Sequence, residues 1–381
     1  MRVVESVVLS VVLGGVLPAA AATAADPPTA AEPTVAWVQA TTSVRAGGLW
    51  VQSAGTAPRR LAPLPRDAAE VDPFTLGFVD VRVSPDGRHV AYGRYPEEHT
   101  GSDSPGLTIA DVTTGRSRSL PGGGGVSWSA DARFVATTSR TAILRCAVAT
   151  GRCTRWARLP GDEDVSDGGE GLRATGIAIS PDGSRLAYVP HGGDEDPEGV
   201  VVLSTGRRVV RHLRAPAGEI LSEAVGWTQT GPLVTGIGLE EEGTLLRPAG
   251  TRSRRLRVAA HGDQDRDVGE APTVLGVTSS GRFSLGDRLD GDAGELPYEV
   301  QLADLRHGGV RVLARGEGVA SAGIAPDGGA AAYSPDGRRI VLRGLPSGAI
   351  RTLVDAGAGD ADSPLLVLPS AAWPAAAASP H

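Results

Sequence analysis

Carboxylates are the residues of this chain whose number and spacing could do chemistry. Asp162, Glu163, Asp164 and Asp167 fall in one short stretch, Asp194, Glu195 and Asp196 in a second, and Glu240, Glu241 and Glu242 in a third. Such runs concentrate oxygen ligands and negative potential, so they could capture Ca²⁺, a basic peptide or the basic surface of a protein partner. Asp263, Asp265 and Asp267 come nearest to a metal loop, but they lack the glycine and distal glutamate that complete a D-x-D-x-D-G calcium site. His99, His191 and His261 stand beside acidic residues, where an imidazole could add a ligand for a transition metal. Acidic loops also keep a lysine-free exported protein soluble, and that is the competing account of the same residues.

Other chemistry finds less support. The chain has no G-x-S-x-G nucleophile elbow and no H-E-x-x-H zinc helix, and the run Gly122 to Gly125 is not followed by the helix or lysine of a phosphate loop. No catalytic residue is therefore assigned. All 37 basic residues are arginine, and the absence of lysine and asparagine excludes Schiff-base chemistry and N-linked glycosylation. With a formal charge of -7 the chain lacks the basic excess that nucleic-acid binding requires. Cys146 and Cys153 flank a six-residue turn segment, a spacing that suits a disulfide across a hairpin and matches neither a C-x-x-C redox motif nor a zinc knuckle.

The elements that must position these residues follow from a repeat. A turn tetrapeptide recurs as Ser84-Pro85-Asp86-Gly87, Ser129-Ala130-Asp131-Ala132, Ser180-Pro181-Asp182-Gly183, Thr228-Gln229-Thr230-Gly231, Thr278-Ser279-Ser280-Gly281 and Ala325-Pro326-Asp327-Gly328. A short apolar strand precedes each copy. Proline presets φ, aspartate can bond the amides ahead of it and glycine takes the positive φ, so each copy closes a hairpin. A second turn follows at Gly115, Gly151, Gly206, Gly250, Gly308 and Gly348, with an earlier one at Gly55. The span from Gly55 to Gly348 divided by six gives about 49 residues per unit, the size of a four-stranded blade.

The pattern Ser-Pro-Asp-Gly-Arg-x-x-Ala-Tyr, with Trp128 and Trp227 just before the turn in two copies, resembles the repeat of TolB-like and WD-repeat-like β-propellers. The resemblance runs over roughly residues 34 to 374 and implies an all-β fold, a single propeller of four-stranded antiparallel blades. Seven blades are favoured over six. Aspartate is missing from the turns of the fifth and sixth units, at Thr228 to Gly231 and Thr278 to Gly281, and an extra Ser334-Pro335-Asp336-Gly337 falls in the seventh unit's middle loop. The first unit has only three strands of its own, and the tail Leu365 to Trp373 is expected to supply the fourth and close the ring. Val81, Val83, Val90, Ala91, Ile177, Ile179, Leu186, Ala187 and Ile324 are expected in the core.

On such a ring the acidic runs fall in middle and connecting loops of one face, whereas Arg116, Arg118, Arg152, Arg155, Arg207, Arg208, Arg252, Arg254 and Arg255 gather by the second turns, near the other. Val7 to Leu17, then Pro18 and a run of alanines, read as a secretory signal peptide over residues 1–25, followed by a linker over 26–33, the propeller over 34–374 and a tail over 375–381. An uncleaved signal anchor is the alternative. The functional expectation is a secreted, monomeric, non-enzymatic module that binds a protein, peptide or other ligand, without nucleic acid and without a transmembrane segment in the mature chain. Calcium is the one cofactor in view. The propeller resemblance also leaves open a cation-dependent hydrolase of the lactonase type, with its site at an acidic channel mouth.

Overall fold

The Ser-Pro-Asp-Gly turn is built by its own side chains. Ser84 Oγ donates to Asp86 Oδ1 at 2.5 Å and accepts the His89 amide at 2.9 Å, while Asp86 Oδ1 accepts the Arg88 amide at 3.0 Å. Gly87, at φ 71°, donates to Ser84 O and completes the turn. The same set recurs at Ser129 with Asp131 and at Ser180 with Asp182. In the sixth unit, whose turn lacks aspartate, Thr278 and Ser280 hydroxyls accept the Arg282 amide instead. Each turn thus satisfies its amides locally and throws the chain back antiparallel.

The structure, a computed structural model, describes residues 32–40, 47–64, 78–94, 106–139, 142–158, 174–190, 199–204, 209–214, 219–227, 231–242, 245–248, 254–259, 265–270, 273–278, 280, 282–289, 298–307, 309–316, 318–356 and 365–373. All lie in the unit Ala31–His381. They contain strands and no helix. The first sheet holds β1 (Thr34–Ala40), β2 (Gly48–Gln52) and β3 (Arg59–Pro63). The second holds β4 (Phe78–Val83), β5 (His89–Arg94), β6 (Gly106–Asp111) and β7 (Ser117–Leu120), and the third β8 (Gly124–Trp128), β9 (Phe134–Ser139), β10 (Ala142–Ala147) and β11 (Cys153–Arg158). The fourth comprises β12 (Ala174–Ile179), β13 (Arg185–Pro190), β14 (Gly199–Ser204) and β15 (Val209–Arg214). The fifth has five strands, β16 (Glu219–Trp227), β17 (Pro232–Glu242), β18 (Leu245–Pro248), β19 (Arg254–Ala259) and β20 (Asp265–Glu270). The sixth holds β21 (Thr273–Val277), β22 (Phe283–Leu289), β23 (Tyr298–Asp304) and β24 (Val310–Gly316), and the seventh β25 (Ala320–Ile324), β26 (Ala330–Ser334), β27 (Arg339–Gly344) and β28 (Ile350–Asp355). The last strand, β29 (Leu365–Ala372), joins the first sheet beside β1, in the order β29-β1-β2-β3. All pairings are antiparallel between chain neighbours except β17 with β19, which skips β18, and β1 with β29.

Both faces of these sheets are buried, so successive strand residues feed different cores. Val90 packs with Leu49 and Val51 of the first sheet, while Ala91, the next residue, packs with Val126 and Val135 of the third. Ile177, Ile179 and Leu186 lie against Ala136 and Ile143, and Leu285, Val300 and Leu302 against Ile324, Ala331 and Tyr333. Ile340 and Val354 of the seventh sheet meet Val35, Trp37 and Leu366 of the first. Each fully buried Leu or Val contributes about 1.5–3 kcal/mol, and all nine residues expected in the core are buried. The leading strands touch in series: β29 meets β4, β4 meets β8, then β12, β16, β21 and β25 follow, and β25 meets β29.

Ala132 occupies the glycine place of its turn at φ 56°. An L-residue held there costs about 1–2 kcal/mol. Ala132→Gly is therefore expected to raise stability by about 1 kcal/mol in urea unfolding, offset in part by unfolded-chain entropy; an unchanged or lowered midpoint would show the turn to be unstrained.

Candidate functional site

The leading strands, each in contact with the next, carry a repeated irregularity. Register shifts interrupt β4 between Val79 and Arg82, β8 between Gly124 and Val126, and β12 between Thr175 and Ile177. At each shift one residue is left-handed: Asp80 at φ 51°, Gly125 at 65° and Gly176 at 59°, each four positions before the turn serine. Glycine takes this conformation freely, but aspartate is strained. The Asp80 carboxylate has a use there, because Oδ2 accepts the Gly125 amide of the next sheet at 2.8 Å. Two of its counterparts four positions before the turn, Gly125 and Gly176, are glycine, whereas Ala224, Val274 and Ser321 hold that place in the other units.

Asp80 belongs to a set of polar links between adjacent sheets. Trp128 Nε1–H donates to Arg82 O at 3.2 Å, and Trp227 Nε1–H donates to Ala178 O at 2.8 Å. Ser127 Oγ accepts the Ile179 amide and Ser370 Oγ accepts the Val83 amide, both at 3.0 Å. At the outer side, Arg59 bonds the carbonyls of Val112, Thr113 and Thr114, and Arg118 reaches Val148 O and Ala149 O of the next sheet. Arg351 pairs with Glu32 ahead of β1. Arg118, read from sequence as part of a charged face, is thus a clamp on a neighbouring turn.

The sequence-derived acidic residues divide into two groups. Asp162, Glu163, Asp164, Asp167, Asp194, Glu195, Asp196 and Asp263 lie outside the described residues, as do His99, His191 and His261. Glu240, Glu241 and Glu242 do not form a loop: β17 leaves β16 and β19 after Gly238 and continues into a ladder with β18, where they lie opposite Arg247, Leu246 and Leu245. Asp265 and Asp267 lie on β20, opposite Ala259 and Arg257. A paired strand sets alternate residues on one face instead of wrapping them around an ion, so this segment differs from the loop expected of a calcium site. Among the described residues no three His, Cys, Asp or Glu side chains gather as a metal would require.

Cys146 and Cys153 are bonded, from directly opposed positions on β10 and β11 with Cα atoms 3.9 Å apart. Inside the sixth sheet, buried Glu299 is ion-paired with Arg315 and accepts from Gln301 Nε2 at 2.6 Å. The alternation of Glu299 and Gln301 with apolar residues is the sequence signal for that pair, hidden because both of the sheet's faces are covered.

No family model matches the chain, and no curated protein matches it. Among solved structures it is similar to the acylaminoacyl peptidase of Pyrococcus horikoshii, with 15% identity over 73% of this chain and 46% of that one, at a TM-score of 0.50. TolB from Acinetobacter baumannii shares 13% identity over 89% of this chain and 66% of that one, at 0.45. The β-propeller domain of the Trilobed protease from Pyrococcus furiosus shares 15% over 73% and 83%, at 0.47. The chain spans less than two thirds of the length of the first two. At these identities the likeness is one of fold, and the fold is of the β-propeller kind that the TolB-like turn pattern implies.

Two turn carboxylates are held at about 2, well below their ordinary 3.8. For Asp182 the Ser180 and Ser184 hydroxyls and the Ser184 amide lower it. For Asp304 burial works upward, and the His307 side chain, the Arg306 and His307 amides and Arg282 outweigh it. A carboxyl lowered by folding stabilises above its unfolded value and loses that contribution as pH falls through its folded one. Melting temperature should therefore drop between about pH 4 and pH 2, and Asp182→Asn should flatten part of the drop. A melting temperature constant across that window would contradict the assignment.

Proposed function

We propose that the chain is a seven-bladed β-propeller whose ring is closed by β29, exported from the cytoplasm, acting as a monomeric, non-enzymatic module that binds a protein or peptide through its acidic face. The observation that carries the binding reading is the β17–β18 arm, which overruns its sheet and bears three consecutive glutamates in sequence on a paired ladder. A ladder presents charge with less ordering cost than a free loop, so an incoming basic segment meets a partly preorganised surface. The acidic runs at 162–167 and 194–196 belong to the preceding units in sequence and would extend the same surface. Export is supported by the apolar leader and by the Cys146–Cys153 disulfide, a bond at home in oxidising compartments. Calcium is the simplest small cation for these carboxylates.

The hydrolase reading has one observation in its favour. Asp80 holds a strained conformation on a leading strand, and strain of that kind gathers at functional sites. It predicts metal-stimulated lactone hydrolysis that Asp80→Asn abolishes.

Titration calorimetry separates the readings. A basic peptide should bind, weaken steeply between low and physiological salt, and lose about tenfold in affinity in the E240Q/E241Q/E242Q variant, given roughly 0.2–1 kcal/mol per exposed ion pair. Absence of heat with both the peptide and Ca²⁺ would leave solubility as the role of the acidic runs.

A further inference from the structure

Among the described residues, the outer edges of the sixth and seventh sheets expose large apolar side chains. The outer strands β3, β7 and β11 open on Arg59-Arg60, Ser117-Arg118-Ser119 and Cys153-Thr154-Arg155, with no large apolar residue exposed, whereas β28 opens on Ile350-Arg351-Thr352 with one, Ile350, beside an arginine already paired with Glu32. β24 opens on Val310-Arg311-Val312, and its valines are 43% and 39% exposed. Natural edge strands usually avoid such a row, because it templates the pairing of another strand.

The ladder fixes which backbone groups are free on that edge. Asp304 N–H donates to Gly309 O at 2.8 Å, and the register sets Ala303 opposite Val310, Leu302 opposite Arg311 and Gln301 opposite Val312. Antiparallel pairs alternate between bonded and non-bonded, so Arg311 bonds inward to Leu302 while the N–H and C=O of Val310 and Val312 point away from β23. β24 is the last strand of its sheet. Arg311 also stands three residues after the Gly308 turn, as Arg118 follows Gly115 and Arg351 follows Gly348. The Arg118 and Arg351 side chains are engaged, whereas the Arg311 side chain has neither hydrogen bond nor ion pair among the described residues.

We propose that the edge of β24 is a docking site for an extended segment of a partner protein with the pattern apolar–carboxylate–apolar, added as an antiparallel strand. Its backbone would bond the outward groups of Val310 and Val312. Its apolar residues would lie beside those valines on one face and its carboxylate beside Arg311 on the other, the cross-strand pairing that stabilises sheets. A second copy of this chain fits less well, because symmetric pairing centred on Arg311 sets like charges opposite each other. The site is separate from the acidic arm, so failure of basic-peptide binding leaves it untouched, and the reverse holds.

The test uses the full chain and two nine-residue peptides centred on Val-Glu-Val or Val-Arg-Val, otherwise Ser and Thr. The expected result is slowed amide exchange at Val310 and Val312 with the glutamate peptide, and tighter binding of it than of the arginine peptide. Arg311→Glu should weaken the glutamate peptide about fivefold and reverse the preference. Val312→Pro removes one outward N–H without touching the β23 ladder and should abolish binding while the fold's melting transition persists. No exchange protection at millimolar peptide, equal affinity in Arg311→Glu, or a dimer that protects β24 without peptide would each overturn the proposal.

Discussion

Everything in this molecule depends on the burial of both faces of each sheet. A four-stranded antiparallel sheet with apolar residues on both sides is not stable alone, and the first, second, third and seventh sheets each find covers for both faces in their neighbours. Val90 and Ala91, adjacent in sequence, belong to different interfaces for that reason. The same demand accounts for the pairing of β29 with β1. Without it, the first sheet would lack its leading strand, and Trp37 and Ile340 would lose Leu366 from their shared cluster.

Polar chemistry is subordinate to that packing. Serine and aspartate of the turns satisfy amides that the reversal would otherwise leave unpaired, and the tryptophan, serine and arginine links tie one sheet to the next. Asp80 to Gly125, Trp128 to Arg82, Trp227 to Ala178 and Ser127 to Ile179 join residues 45, 46, 49 and 52 positions apart, close to one repeat unit.

The strands and first turns were legible in the sequence because their chemistry is local: Ser, Pro, Asp and Gly within four residues dictate a hairpin wherever they stand. The C-terminal strand was legible because the first unit has only three strands of its own and the apolar tail from Leu365 to Trp373 offers a fourth. The left-handed Asp80 and the Arg59 and Arg118 clamps were not, because their partners lie 30 to 55 positions away on the next sheet, beyond the reach of any local pattern. The ladder of Glu240 to Glu242 and the strand through Asp265 and Asp267 were hidden for another reason. Acidic residues have low strand propensity, and only pairing with β18 and β19 overrides it.

The central claim is that the sheets form one ring whose ends meet at β29 and β1. Removing residues 365–381 tests it most directly, with thermal unfolding and amide exchange along β1 and β25 read together. The account predicts a melting temperature lower by about 10 °C or more, from the lost burial of Leu366 and Trp373, with protection lost on both sides of the gap. An unchanged melting temperature with β1 and β25 still protected would contradict it.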